Sequence, residues 1–329
     1  MYRKLETAVV IPCYNEEKMI TQTIKKLPKY IDYIIAVNDA STDNTIGVLN
    51  KLKKQNDRLI VIDSKTNQGV GGALITGYQH ALKHTKATAI GIVAGDDQFD
   101  SSYLEAMLDD FIDQSADYVK ASRFFHREAF KTMPKYRQFG NIFISLLTKF
   151  STGYYSITDI TNGCGWLRRD IIEKVDFSIV EKRYDYETSM LTALSIVNAK
   201  VIDHAVPAHY GDEKSTIKLI PTAWRNLKAV WKGFWRRIYY KYVLYGFHPV
   251  ALFLFTGMFF FIISLLIAGF LLCVKLFAHQ SPTAGSVMLA VLPFILSVQL
   301  SKYLGQEPTR CFSQSLTVRT ILILSLMEM

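Results

Sequence analysis

The stretch AGDDQFD (Ala94–Asp100) crowds the carboxylates of Asp96, Asp97 and Asp100 and the amide of Gln98 onto a few consecutive positions. Like charges this close repel one another unless a cation shields them. Oxygen ligands of this type suit Mg2+ or Mn2+ holding a diphosphate. Two further polar clusters accompany it. NQGVGG (Asn67–Gly72) follows an apolar run and opens a helical pattern, which suits an anion at a helix N-terminus, although the same residues also make an ordinary turn. It has neither the lysine of a P-loop nor the GxGxxG spacing, so neither an ATPase nor a dehydrogenase follows. VNDASTD (Val37–Asp43) reads equally well as a helix cap or as part of a site. His80 and His84 stand four apart on a helical pattern, but that helix offers no carboxylate or cysteine to complete a metal site.

The elements that must position these clusters alternate. AVVIPCY (Ala8–Tyr14), YIIAVND, LIVIDS and ATAIGIVAGDD are short apolar runs that read as strands. The segments between and after them read as helices: NEEKMITQTIKKL capped by Asn15, STDNTIGVLNKLKKQ capped by Ser41 or Thr42, GALITGYQHALKHT, and one near Tyr103–Gln114. Repeated strand–helix units predict an α/β, open and mostly parallel sheet with helices on both faces. Ligands of such sheets bind beyond the carboxyl ends of the strands, where these polar clusters fall.

Charge divides the chain. The net charge of +9 is carried by the C-terminal part, where residues from Lys214 onward include 12 Lys or Arg and 2 acids. Residues 1–213 are almost neutral, so a uniform basic surface for nucleic acid is not expected. No charge lies between Lys241 and Lys275, and Pro249–Val274 exceeds the roughly 20 apolar residues that span a bilayer. A second uncharged stretch, Pro282–Leu300, contains Pro293 and predicts a helical hairpin. The segment AWRNLKAVWKGFWRRIYYKYVLYGF interleaves Trp224, Trp231, Trp235 and several Tyr with Arg225, Lys228, Lys232, Arg236, Arg237 and Lys241, a pattern suited to a membrane interface. These bases precede the first span, so the positive-inside rule places the N-terminal region in the cytoplasm. Cys13, Cys164, Cys273 and Cys311 form no CxxC pair, which argues against a disulfide framework or a zinc ribbon.

The series VVIPCYNEE, VNDASTD, NQGVGGAL, VAGDDQFD, KASRF, ITDITNGCGWLRRD and YDYETSM, in that order, resembles glycosyltransferase family 2. Within it the chain looks most like the polyprenyl-phosphate glycosyltransferases of the dolichol-phosphate mannosyltransferase type. The resemblance covers about Ala8 to Lys218. It implies a GT-A domain over residues 1–215, basic and aromatic interfacial helices over 216–247, two transmembrane helices over 248–301, and a tail of unassigned role over 302–329. It implies an inverting transferase, integral to the membrane with its catalytic domain cytoplasmic. The sugar would move from a nucleotide-diphosphate sugar to a polyprenyl phosphate, with homo-oligomer formation left open. Another glycolipid or polysaccharide acceptor, or an inactive scaffold of the same fold, are the alternatives.

The same resemblance implies that Pro12, Tyr14, Glu16, Asp39, Gly69 and Asp96 bind the donor, with Asp39 facing the base. Asp96 and Gln98 match its metal positions for Mg2+ or Mn2+, while Ala94 and Asn38 replace acids of the family pattern. Asp159 matches the acid near the reacting centre. Arg123, Arg137 and Arg168 match basic positions near phosphates, and Lys214 stands in for a missing arginine. Chemistry supports such a set: a lipid monophosphate is already anionic and needs positioning more than deprotonation, which bidentate arginines supply.

Overall fold

The computed structural model describes residues 1–96, 99–123, 135–160, 162–183, 185–207, 219–245 and 248–302. For 135–139, 141 and 219–223 it describes the backbone alone. The chain forms two compact units, Met1–Arg237 and Ile238–Met329. The first therefore runs past the boundary expected at residue 215.

Strands β1 (Thr7–Cys13), β2 (Tyr33–Asn38), β3 (Leu59–Asp63) and β4 (Ala89–Ile92) alternate with helices α1 (Ile20–Lys26), α2 (Thr45–Lys53) and α3 (Val70–His84). After β4 come α4 (Tyr103–Asp113), β5 (Tyr118–Ser122), α5 (Lys135–Thr152), β6 (Gly165–Arg168), the short α6 (Arg169–Ile172), α7 (Tyr186–Ile196), β7 (Val201–Ala205) and α8 (Leu219–Arg237). The seven strands form one sheet in the order β3-β2-β1-β4-β6-β5-β7. β1 pairs in parallel with β2 and β4, β2 with β3, and β5 with β7, whereas β6 runs antiparallel to both β4 and β5. The mostly parallel GT-A-like sheet is thus as expected, with one reversed strand.

Burial explains the strand sequences. β1 and β2 are covered on both faces, so they read as nearly continuous apolar runs rather than alternating ones. Trp166 is fully buried, and its indole N–H donates to Leu104 O at 3.1 Å. It faces Gly91 across the β4–β6 pair, where a Cβ would come within 2.8 Å of the ring. α1 starts four residues later than a cap at Asn15 implies. Asn15 turns the chain with φ 60°, and Glu16–Met19 form a turn instead of a first helical turn.

Helices α5 and α8 pack against one another, with Phe150 and Phe234 stacked at 5.3 Å and Ser151 Oγ donating to Val230 O at 2.8 Å. α8 also meets α7: a Cβ at Gly233 would lie 2.7 Å from Thr192 Oγ1. That packing is why α8 belongs to the first unit.

In the second unit, a π-helical stretch Ile238–Leu244 precedes α9 (Pro249–Phe277) and α10 (Ala284–Ser301). Both are long and apolar enough to cross a membrane. His248 caps α9 by accepting from Val250 N, and Thr283 caps α10 by accepting from Ser286 N. The two helices pack through small residues, with Ser264 Oγ donating to Ala290 O at 2.8 Å and Gly257 lying close to Ser297 O.

Gly77 tests the packing of α3 on the sheet, because a Cβ there would lie 2.2 Å from Val10 Cγ1. Helix propensity alone favours alanine over glycine by about 1 kcal/mol. Overpacking costs about 1–3 kcal/mol and is expected to win. Gly77→Ala should therefore lower the melting temperature of the full chain in detergent, read by thermal denaturation.

Candidate active site

The parallel strands set the site, since β1, β2 and β4 all end at the same edge of the sheet. Beyond these ends lies a cavity of about 610 Å3 lined by Pro12, Tyr14, Glu16, Asp39, Asn67, Gly69, Val70, Ala94, Asp96, Arg183 and Glu187 among others. All six residues expected to bind a donor are in its wall. A second cavity of about 240 Å3 adjoins it and shares Pro12, Val70, Ala94, Asp96 and Glu187. Arg123, Phe99, Tyr103, Asn162, Val206 and Pro207 line the second cavity only.

Asp39 holds the first cavity in shape. It is 3% exposed, and its two carboxylate oxygens accept the backbone N–H groups of Gln68 at 2.8 Å and Gly69 at 2.7 Å. Asn67 donates in turn to Asp39 O at 3.1 Å. Gly69 takes φ 84°, and a Cβ there would also meet Lys182 O at 2.7 Å, so glycine is required twice over. Both oxygens of Asp39 thus brace the loop ahead of α3. Asn38 donates to Asp63 Oδ1 at 2.7 Å and accepts from Ser41 Oγ at 2.5 Å. Its amide does what a carboxylate could not, since it offers a donor toward Asp63.

Arg123 and Asp159 form the strongest pair at the second cavity. Asp159 has no solvent exposure, and Arg123 grips it with Nε to Oδ2 at 2.8 Å, Nη2 to Oδ1 at 3.2 Å and its backbone N to Oδ2 at 3.1 Å. Burial alone raises a carboxyl pKa. Here the Arg123 hydrogen bonds and the charges of Lys120 and Arg123 outweigh it and hold Asp159 below its ordinary value.

Glu187 escaped the sequence reading, although YDYETSM contains it. It stands in the first turn of α7 and lines both cavities. Removal from water pushes its carboxyl up to about 7, against the opposing effects of its own backbone N–H and Lys120. Arg183, which lines the larger cavity, was missed as well.

Of the other expected residues, Arg168 is not brought to the cavities. Arg168 pairs with Ala89, the first residue of β4, so it sits at the opposite end of the sheet from Asp96. There it donates to Ala116 O at 3.1 Å, lies 3.6 Å from Asp117 and covers the Phe111 ring. The reversal of β6 is the reason, and an acceptor-phosphate role at the cavities does not fit this position. Arg137 is in α5, its side chain outside the described residues. Gln98 and Lys214 lie outside the described residues altogether. His80 and His84 stack at 4.4 Å, and among the described residues no group of three or more His, Cys, Asp or Glu could hold a metal.

The model of glycosyl transferase family 2 matches residues 8–176. The chain belongs to this family. A UDP-N-acetylglucosamine–dolichyl-phosphate N-acetylglucosaminyltransferase from Methanococcus voltae is 32% identical over 54% of this chain and 75% of its own length. A polyprenol monophosphomannose synthase from Mycolicibacterium smegmatis is 27% identical over 54% of this chain and 67% of its own. Among solved structures, glucosyl-3-phosphoglycerate synthase from Mycobacterium tuberculosis, in complex with Mn2+, UDP and glucosyl-3-phosphoglycerate, superposes with a TM-score of 0.53 at 13% identity. That match covers 70% of this chain and 80% of the other. This glycosyltransferase therefore has the GT-A-like fold of its family, and the two cavities lie where that fold's parallel strands end.

Glu187 gives a measurable pH effect. A carboxyl whose folded pKa is raised from 4.5 to about 7 contributes stability that is whole below pH 4.5 and is lost as pH rises to about 7. The melting temperature of the native chain should fall relative to Glu187→Gln across that window. Parallel curves would place the carboxyl in water.

Proposed function

We propose that this family 2 enzyme moves a sugar from a nucleotide-diphosphate sugar to a polyprenyl phosphate, on the cytoplasmic side of a membrane in which α9 and α10 are embedded. The observation that carries the reading is the shared wall of the two cavities. Two phosphorylated substrates that react with each other need adjoining sites, and the two cavities meet at a wall that includes Asp96 and Glu187. The larger cavity would take the nucleotide and the smaller the acceptor phosphate, facing Arg123. The polyprenyl acceptor is supported by the names of the two relatives above.

A divalent ion fits the donor set in one way. Mg2+ and Mn2+ are commonly held by one or two carboxylates together with substrate phosphates, rather than by an all-protein cage. Asp96 at the β4 end, with Gln98 after it, offers such a partial set, and Ala94 removes a further carboxylate, so the diphosphate must complete the shell. When bound, the ion would neutralise charge developing on the leaving diphosphate. The chain's own residues do the remaining work. Arg123 would hold the acceptor phosphate by charge-assisted hydrogen bonds, while Asp159 fixes the guanidinium that makes them. A phosphate oxygen of the lipid attacks the anomeric carbon, the bond from that carbon to the diphosphate oxygen breaks, and the nucleotide leaves with both electrons. Because the acceptor is already an anion, no side chain has to remove a proton. The carboxyl of Glu187 faces the space between the two sites and would orient sugar hydroxyls. Single displacement inverts the anomeric centre.

Membrane attachment is supported by the first unit as well as by the two apolar helices. α5 exposes Ile142, Phe143, Leu146 and Phe150, and α8 exposes Trp224, Leu227 and Trp231 beside Arg225 and Lys228. Soluble surfaces seldom expose this many large apolar side chains on two adjacent helices. Not every base of α8 serves a lipid surface. Lys232 bonds Glu181 at 2.8 Å, Arg236 donates to Ile179 O at 2.7 Å, and Arg237 is buried with Nη2 donating to Phe150 O.

Membranes containing the protein should be incubated with a panel of labelled nucleotide sugars and then extracted with organic solvent. Label should enter the lipid phase for one donor, disappear in excess chelator, and fall by about two orders of magnitude in Asp96→Ala. Label confined to the aqueous phase would indicate a soluble acceptor, and transfer that persists in chelator would remove the metal from the reading.

A further inference from the structure

We propose that Lys120 is a positioning residue of the acceptor site: its buried ammonium locks the Thr158–Asp159 segment so that Asp159 presents Arg123 to the acceptor phosphate. The inference rests on the reading of Arg123 as the group that binds that phosphate.

A lysine in the middle of β5 is out of keeping with its surroundings. Val119 and Ala121 on either side join the apolar core, while Lys120 itself is 1% exposed. Lysine is almost never fully buried unless it is paired, and its flexible stem usually carries the ammonium out to water. Here Nζ donates instead to Asp159 O. Burial lowers the lysine pKa, against the opposing charges of Asp159 and Asp203.

The surroundings form a clamp. The parallel register of β5 and β7 sets Lys120 opposite Asp203. Asp203 Oδ2 accepts both Thr158 N at 2.6 Å and Thr158 Oγ1 at 2.7 Å. Ser122 Oγ lies 2.8 Å from Thr158 Oγ1, and Ser145 Oγ donates to Thr158 O at 3.2 Å. The Asp159 carboxylate goes to Arg123 and its carbonyl to Lys120. Two consecutive residues are thus held from β5, β7 and α5 at once. Asp203 Oδ1 is buried without a hydrogen-bond partner among the described residues, so the ammonium across the strand pair compensates it electrostatically.

Charge counting shows what this arrangement does for a phosphate. The groups that face Lys120 are Asp159, Asp203, Glu187 and Arg123. With its ammonium charged, Lys120 together with Arg123 offsets Asp159 and Asp203 beside the second cavity. Without Lys120 the balance there becomes anionic where an anion has to arrive. Apolar groups of similar volume often replace buried ionic groups without loss of stability, so stability alone is a weak reason for this lysine.

The test uses the full chain in detergent, a short water-soluble prenyl phosphate as acceptor probe, and the nucleoside diphosphate with Mn2+ as donor probe. Lys120→Met should weaken prenyl-phosphate binding by about tenfold or more and lower kcat, while nucleoside diphosphate binding stays within about twofold. Adding Asp203→Asn to Lys120→Met restores the charge balance and should recover much of the acceptor affinity. The double variant also answers the case in which Lys120→Met alone folds poorly. Equal loss of both ligands, normal acceptor binding in Lys120→Met, or no recovery in the double variant would overturn the proposal. A native chain that binds no prenyl phosphate would instead overturn the functional reading beneath it.

Discussion

Asp159 is a carboxylate with no access to water, and a buried charge survives only when it is paired and hydrogen-bonded. Arg123 meets that demand with three N–H donors, one of them from its own backbone. The pairing fixes a guanidinium at the end of β5, with some of its surface still open to the second cavity. From this follow the polar clamp around Thr158 and the placement of Arg123 between sheet and solvent. On the other side of the shared wall, Asp39 does the comparable task for the loop ahead of α3 by accepting two backbone N–H groups. Each cavity is shaped by one buried carboxylate whose oxygens serve the chain before they serve a ligand.

Much of this was legible from residue order. The runs that became β1, β2 and β4 are apolar for most of their length because both faces of the sheet are covered there, and the spacing of the strand–helix units gave the parallel arrangement. Six residues named from motif resemblance, from Pro12 to Asp96, line one cavity. The polar clusters therefore marked the strand ends correctly. The two apolar helices were equally plain, from the 33 residues without a charge between Lys241 and Lys275 and from the uncharged stretch Pro282–Leu300.

What was not legible depended on direction and depth. No local signal in GWLR says that β6 runs against its neighbours. That reversal carries Arg168 to the far end of the sheet, to Asp117 and Phe111. Lys120 gave no sign of burial, because a single base in KASRF looks like a surface residue. Asp39 was named from its motif, but its partners are backbone groups some thirty positions away, so its bracing role could not be read. Arg237 looked like one of a run of interfacial bases. It is instead enclosed, because α8 packs on α5 and α7 with a small residue, Gly233, at the contact.

The account stands on the smaller cavity being the place where a lipid phosphate is held. A polyprenyl phosphate with a photoreactive group beside its headgroup tests this directly when it is crosslinked to the full chain and the labelled peptides are sequenced. Label should fall on the segments that wall this cavity, around Phe99–Tyr103, Asn162–Cys164 and Val206–Pro207, and should drop sharply in Arg123→Ala. Label spread over other surfaces and unchanged by Arg123→Ala would contradict it.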